Sequence, residues 1–276
     1  MPIIAILITI FLEQRKLLTQ VREVFNEKLV NYVRFFTHRS FNTPKELRYV
    51  YLFACLPIIV TLIIIKLLLF KYVIVYQLIN LILFILSVEI LTWKEEAKKH
   101  TQADNRSFIS TYAIHFFAAL FWFLVLPSAI GSICYLIIIL ISIELKNQAL
   151  DSMIYNVVVD KMLFYANIIP YVILFVFIAI AGNFEEVTHF MVAQKKHFSK
   201  SFYFLENMLS EIVLIAIGKD KFQINPKLIV EGIEAGSINS ERFTPKITAY
   251  IVAILYRAGL FFIGMLAIIS IANLIS

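Results

Sequence analysis

The stretch "FFAALFWFLVLPSAIGSICYLIIILISIELKNQALDSMIYN", residues 116–156, decides the fold. From Ala113 to Ser142 the chain runs thirty residues without a Lys, Arg, Asp or Glu. A bilayer core about 30 Å thick needs roughly 20 residues of helix, so this run is too long for one upright span. Pro127 and Gly131 fall near its middle. Proline removes a backbone donor and breaks helices, and glycine permits a turn. The run therefore reads as two helices or half-helices, 108–126 and 131–147, joined by a turn at membrane depth or at the far interface. The alternative is one kinked, steeply tilted helix.

The rest of the chain agrees with a membrane environment. Of 276 residues 61% are hydrophobic and 16% charged, and mean hydropathy is +0.84. Soluble domains are about 45–50% apolar and about 25% charged. The net charge of +6 is carried by residues that flank apolar runs, with no recognition helix or stacking motif beside them, which argues for membrane anchoring and against nucleic acid. Cys55 and Cys134 both sit in apolar runs, and neither a disulfide framework nor a metal cluster is implied. The opening "IIAILITIFL" lacks a preceding basic residue and a small-residue cleavage site, so it reads as a retained short span or interfacial anchor.

Further spans are expected at Val50 to Phe70 and Tyr72 to Trp93, a hairpin turned between Lys66 and Lys71, then at Phe164 to Ala181, with Pro170 in its first two turns, and Ala258 to Ile275. Between the start and the hairpin, Leu17, Val21, Val24, Phe25, Leu29, Tyr32, Val33 and Phe36 recur at helical spacing. With Arg15, Lys16, Arg22, Lys28 and Arg34 on the remaining faces, they describe an amphipathic helix lying on a membrane surface or against its neighbours. Residues 183–246 carry eight basic and eight acidic side chains, with a stripe of Phe202, Leu205, Met208, Leu209, Ile212 and Ile215, and read as a small polar helical cap. The whole is expected to be one membrane domain, 1–276. Its parts are an N-terminal apolar segment plus basic helix (1–49), a hairpin (50–93), a broken pair (108–147), a span (164–182), the cap (183–246) and a last span (247–275). The fold class is an all-α, polytopic integral membrane bundle with amphipathic interfacial helices. Eight basic residues in 13–49 and four in 94–112, against two in 66–71, put the first two of these segments on the cytoplasmic side.

Phosphate loops, dinucleotide fingerprints and HExxH helices are absent from the sequence. The five histidines have no metal-ligand spacing, and His115, beside Phe116 and Phe117, reads as a hydrogen-bonded structural residue. Glu89 either snorkels to the interface near Lys94 or is a functional carboxylate. Polar groups in a membrane are costly and face a bundle interior or a cavity. Glu144, Gln148, Ser152, Asn156 and Asp160 fall at successive i+4 positions, with Asn147, Asp151 and Tyr155 on the adjoining line. Such a face must meet water, headgroups or other polar helices. It is either an ordinary solvated helix end or a working site.

The quoted stretch, followed by "LFYANIIPYVILFVFIAIAG", resembles the core of the membrane superfamily that includes the adenosylcobinamide-phosphate synthases of the CobD/CbiB type and AmpE. The matching residues are Ala119, Leu120, Phe121 and Trp122, then Leu150, Asp151, Ser152 and Met153, then Pro170. The opening "LITIFLEQRKLL", with Glu13 at the acidic position, is similar to that of AmpE. So is the ending, in Thr244-Pro245-Lys246 and Arg257. The synthases carry Gly-Asp-Pro and His-Pro-Val after the first helix and an acidic set before the third span, and this chain carries neither. The resemblance therefore implies a catalytically degenerate, non-enzymatic inner-membrane regulatory protein of the AmpE type, linked to β-lactamase induction and cell-wall recycling. It implies a polar pocket of Asn147, Asp151, Ser152, Asn156 and Glu13, with no cofactor and no metal. The expected partners are membrane lipid and a small-molecule ligand or another membrane protein. A divergent synthase and a transport accessory working at the Pro127–Gly131 break are the alternatives.

Overall fold

In the computed structural model of the chain, described over residues 5–6, 8–9, 11–12, 18–38, 41, 43–88, 105–126, 129–148, 153–195, 198–218 and 245–275, all regular structure is helical. In chain order the helices are α1 (Thr19–Thr37), α2 (Pro44–Leu68), α3 (Val73–Ser87), α4 (Asn105–Thr111), a π-helical segment (Tyr112–Ala118), α5 (Ala119–Val125), α6 (Ile130–Gln148), α7 (Met153–Ala181), α8 (Phe184–Gln194), α9 (Phe202–Ile217) and α10 (Pro245–Ile275). Five stretches are long and apolar enough to cross a membrane: Pro44–Leu68, Phe108–Val125, Ile130–Gln148, Tyr155–Ala181 and Thr248–Ile269. The protein is a multi-pass helical membrane protein. Glu89 and the remainder of the expected second span lie outside the described residues.

The described chain forms two compact units. The first is Met1–Leu91, Ile114–Pro170 and Lys200–Tyr203, and the second is Thr92–Ala113, Tyr171–Ser199 and Phe204–Ser276. In the first, α6 is the central helix, packed by α1, α2, α3 and α5. Its apolar window is 61% buried, against 17% for that of α2, whose Leu52, Phe53, Leu56, Val60, Ile63 and Ile64 are exposed. In lipid such outward apolar side chains carry no hydrophobic penalty, and association rests on packing and interhelical hydrogen bonds. α2 starts as its sequence dictates: Pro44 occupies the first turn, and the Thr43 hydroxyl accepts from the Glu46 amide at 3.3 Å.

The long apolar run is two helices. α5 ends at Val125 and α6 begins at Ile130, folding back so closely that a Cβ on Gly131 would lie 1.9 Å from the Trp122 carbonyl oxygen. Only glycine fits that approach. The turn is held from α3. The Ala129 N–H donates to Asn80 Oδ1 (3.2 Å), and the Ala129 carbonyl accepts from the Ser132 hydroxyl (3.2 Å), which in turn accepts from the Ser87 hydroxyl (2.8 Å). Asn80 lies seven residues beyond Val73, which sets the turn about 10 Å along α3 from the Leu69–Tyr72 connection. With Lys66 and Lys71 marking that connection as one membrane face, the break is expected at membrane depth.

α7 solves a related problem. Pro170 has no N–H, which leaves the Ala166 carbonyl without its intrahelical donor. Trp122 Nε1 donates to that carbonyl at 2.9 Å. Nearby, fully buried Asn167 bonds the Leu163 carbonyl (2.8 Å) and accepts from the Tyr135 hydroxyl (2.6 Å). Two residues of the quoted resemblance, Trp122 and Pro170, are thus donor and cause of one contact.

In the second unit the Tyr112 hydroxyl donates to the Leu255 carbonyl (2.8 Å), and Ser110 donates to Glu206. Gly182 lets α9 approach, since a Cβ there would be 2.4 Å from the Ala216 oxygen, the atom that accepts the Asn183 amide at 3.0 Å. Of the stripe expected on α9, Phe202, Leu205, Met208, Leu209 and Ile212 are buried, as are Val213, Ala216 and Ile217. α9 is therefore a core helix, more apolar than the polar cap expected at 183–246. Residues 219–244 of that cap lie outside the described residues.

A double-mutant cycle tests the Trp122 contact. Trp122→Phe should lower stability in detergent by about 1 kcal/mol, the scale of interhelical hydrogen bonds in membranes. In a Pro170→Ala background, where residue 170 regains its own N–H for the Ala166 carbonyl, the hydrogen-bond part of that loss should vanish. Equal losses in both backgrounds, read from thermal unfolding of the purified protein, would refute the coupling.

Candidate functional site

The polar lines from Glu144 to Asp160 are divided between two helices, because α6 ends at Gln148 and α7 begins at Met153. Most of their described members bond other elements. The Glu144 carboxylate pairs with Arg34 of α1, at 3.2 Å from Nη2 and 3.3 Å from Nε. One turn on, the Gln148 amide donates to the Thr37 hydroxyl at 3.5 Å. The Tyr155 hydroxyl accepts from the Phe41 amide at 3.1 Å.

Asp160 does the most. One of its oxygens accepts from the Ser201 hydroxyl (3.2 Å) and from the backbone amides of Phe202 (3.0 Å) and Tyr203 (3.3 Å). These amides open α9, and the first N–H groups of a helix have no intrahelical acceptor. Asp160 is therefore an N-cap supplied from another helix, its charge matched to the positive end of the α9 dipole.

Of the expected pocket, Asp151, Ser152 and Glu13 lie outside the described residues. Asn147, in the last turn of α6, and Asn156, in the first turn of α7, are exposed, and no hydrogen bond joins them among the described residues. They flank the Leu150-Asp151-Ser152 segment on either side. His115 sits in the π-helical segment, half-buried. Among the described residues no three His, Cys, Asp or Glu side chains group as a metal site would need.

The chain matches no family model, no curated protein and no solved structure.

One more residue bonds another helix although the sequence reading set it on a solvated face. Arg22 of α1 is buried, with 6% of its surface exposed. Its Nε (2.9 Å) and Nη2 (2.6 Å) donate to the Ile85 carbonyl, and Nη2 also reaches the Val88 carbonyl at 2.6 Å. At 15 residues α3 is about 22 Å long, short of a bilayer core, so its last carbonyls need partners inside the protein. The guanidinium supplies them and places a cation at the negative end of the helix dipole. The buried face of α1 accordingly runs through Arg22, Val33 and Thr37, while Val21 and Val24 are exposed. The signal was present in the sequence: Arg22 stands seven and eleven positions before Leu29 and Val33, on the apolar line itself. Further along α1 the Tyr32 hydroxyl donates to the Ala54 carbonyl at 2.7 Å. Burial, with the Cys55 and Cys134 thiols nearby, raises its pKa, so Tyr32 remains a neutral donor through physiological pH.

Asp160→Ala should destabilise α9 by about 1 kcal/mol, and Asp160→Asn, which caps comparably, by a few tenths. Hydrogen exchange of the Phe202 and Tyr203 amides checks this: protection should fall in the alanine variant and persist in the asparagine one. Unchanged protection in both would contradict the cap.

Proposed function

We propose that the protein is a non-enzymatic regulatory protein of the AmpE type in the bacterial inner membrane, linked to β-lactamase induction and cell-wall recycling. It senses a small-molecule ligand or a membrane partner at the junction of α6 and α7. One observation carries this reading. Glu144, Gln148, Tyr155 and Asp160 hold helices or the loop at Phe41 together, while Asn147 and Asn156 stay exposed on either side of Asp151 and Ser152. Carboxylate and hydroxyl groups engaged in fixing helices are poorly placed for proton transfer, whereas exposed amides suit hydrogen-bonded recognition. The Leu150-Asp151-Ser152-Met153 stretch, which resembles the superfamily's motif, falls between these two asparagines in the sequence and supports the same assignment.

A second reading, a transport accessory, is favoured by the break between α5 and α6 at membrane depth, since interrupted spans line substrate sites in many transporters. Uptake of a labelled muropeptide into proteoliposomes distinguishes it from a sensor.

Deleting the gene should change the level or the inducibility of β-lactamase. Wild-type protein should restore both. Asp151→Ala, present in the membrane at wild-type level, should not, and Asn147→Ala/Asn156→Ala should restore them only in part. A deletion strain with unaltered level and inducibility would remove the proposal.

A further inference from the structure

The chain has two cysteines, and the fold brings them together. Cys55 is half-buried in the middle of α2, and Cys134 is buried one turn into α6, 79 positions away. The Cys55 thiol points at the Cys134 backbone carbonyl, with Sγ 3.9 Å from the oxygen. Both thiols are free. Around them the helices are pinned: the Tyr51 hydroxyl meets the Ser142 hydroxyl at 3.1 Å, and Tyr32 holds the Ala54 carbonyl next to Cys55.

We propose that Cys55 and Cys134 are a redox-closable link between α2 and α6, oxidised from the lipid phase by a membrane quinone. The Cys55 thiol already reaches the Cys134 backbone, so closing the bond asks mainly for rotation of the two side chains. Access favours a lipid-soluble oxidant. α2 turns Leu52, Phe53 and Leu56 outward around Cys55, whereas Cys134 is only 8% exposed, so a reagent dissolved in the bilayer meets Cys55 first. In the step two S–H bonds break and one S–S bond forms. The two protons and two electrons pass to the quinone, which leaves as the quinol. Cys134 lies just beyond Gly131, so the closed link fastens the peripheral helix α2 to the central helix directly after the break. Any rearrangement of the break relative to α2 is blocked while the link is closed.

The test uses the full-length protein in liposomes, incubated with a short-chain ubiquinone, then denatured and treated with a polyethylene-glycol maleimide. Untreated protein should take up two labels and quinone-treated protein none, with both restored by dithiothreitol. Cys55→Ser and Cys134→Ser should each keep one labelled thiol after the same treatment. Two labels after quinone treatment of wild-type protein that elutes as a single folded species would overturn the proposal. Loss of the label in either single variant would also overturn it, because the oxidation would then not be within the pair. Closure by diamide without closure by the quinone would overturn the assignment of the oxidant.

Discussion

A polypeptide that turns back inside a bilayer must satisfy every backbone group at the turn without water, and the hydrogen bond from the Ala129 amide to Asn80 answers that requirement here. Asn80 comes from a different helix, so the turn forms only where α3 is docked. The Ala129 carbonyl accepts from the Ile133 amide and also from the Ser132 hydroxyl, which Ser87 in turn bonds from α3, and Gly131 lets α6 fold back onto Trp122. An unmet buried donor costs about 1–3 kcal/mol. The asparagine and the two serines are thus part of the turn itself.

The same requirement explains other side chains that would look misplaced in a soluble protein. Arg22 is buried because α3 is too short to hand its carbonyls to an interface. Trp122 bonds Ala166 because Pro170 cannot. Asp160 sits under α9 because that helix begins without its own cap. Each pairs a helix that lacks a hydrogen bond with a polar side chain on another. Between helices that expose apolar residues to lipid, such contacts select the register, since packing alone distinguishes neighbouring registers weakly.

Much of this architecture was legible in the sequence. The first span, the Pro127–Gly131 division and the α9 stripe follow from hydropathy and helical period, which act locally, whereas α3 stops at Ser87, short of the span expected from Tyr72 to Trp93. The partners of polar residues were not legible, because they depend on which helices meet. Asn80 inside a span reads as a cost until Ala129 is placed beside it. Arg22 reads as a headgroup contact until α3 proves short. The polar lines from Glu144 to Asp160 were visible as a pattern, but a continuous helix was assumed across Ala149–Ser152, and periodicity cannot tell a binding face from one that holds helices. At the candidate site, then, the sequence showed a polar pattern and said little about the work of each residue in it.

The depth of the α5–α6 turn is the claim on which the rest depends, and a spin label on Leu126→Cys in a cysteine-free background measures it most directly. Leu126 is 37% exposed, so its surroundings are lipid if the turn is buried in the membrane and water if it is a surface loop. Collisional relaxation of the label should be fast with dissolved oxygen and slow with a water-soluble nickel chelate. The reverse order would place the turn in water and contradict the role given to Asn80.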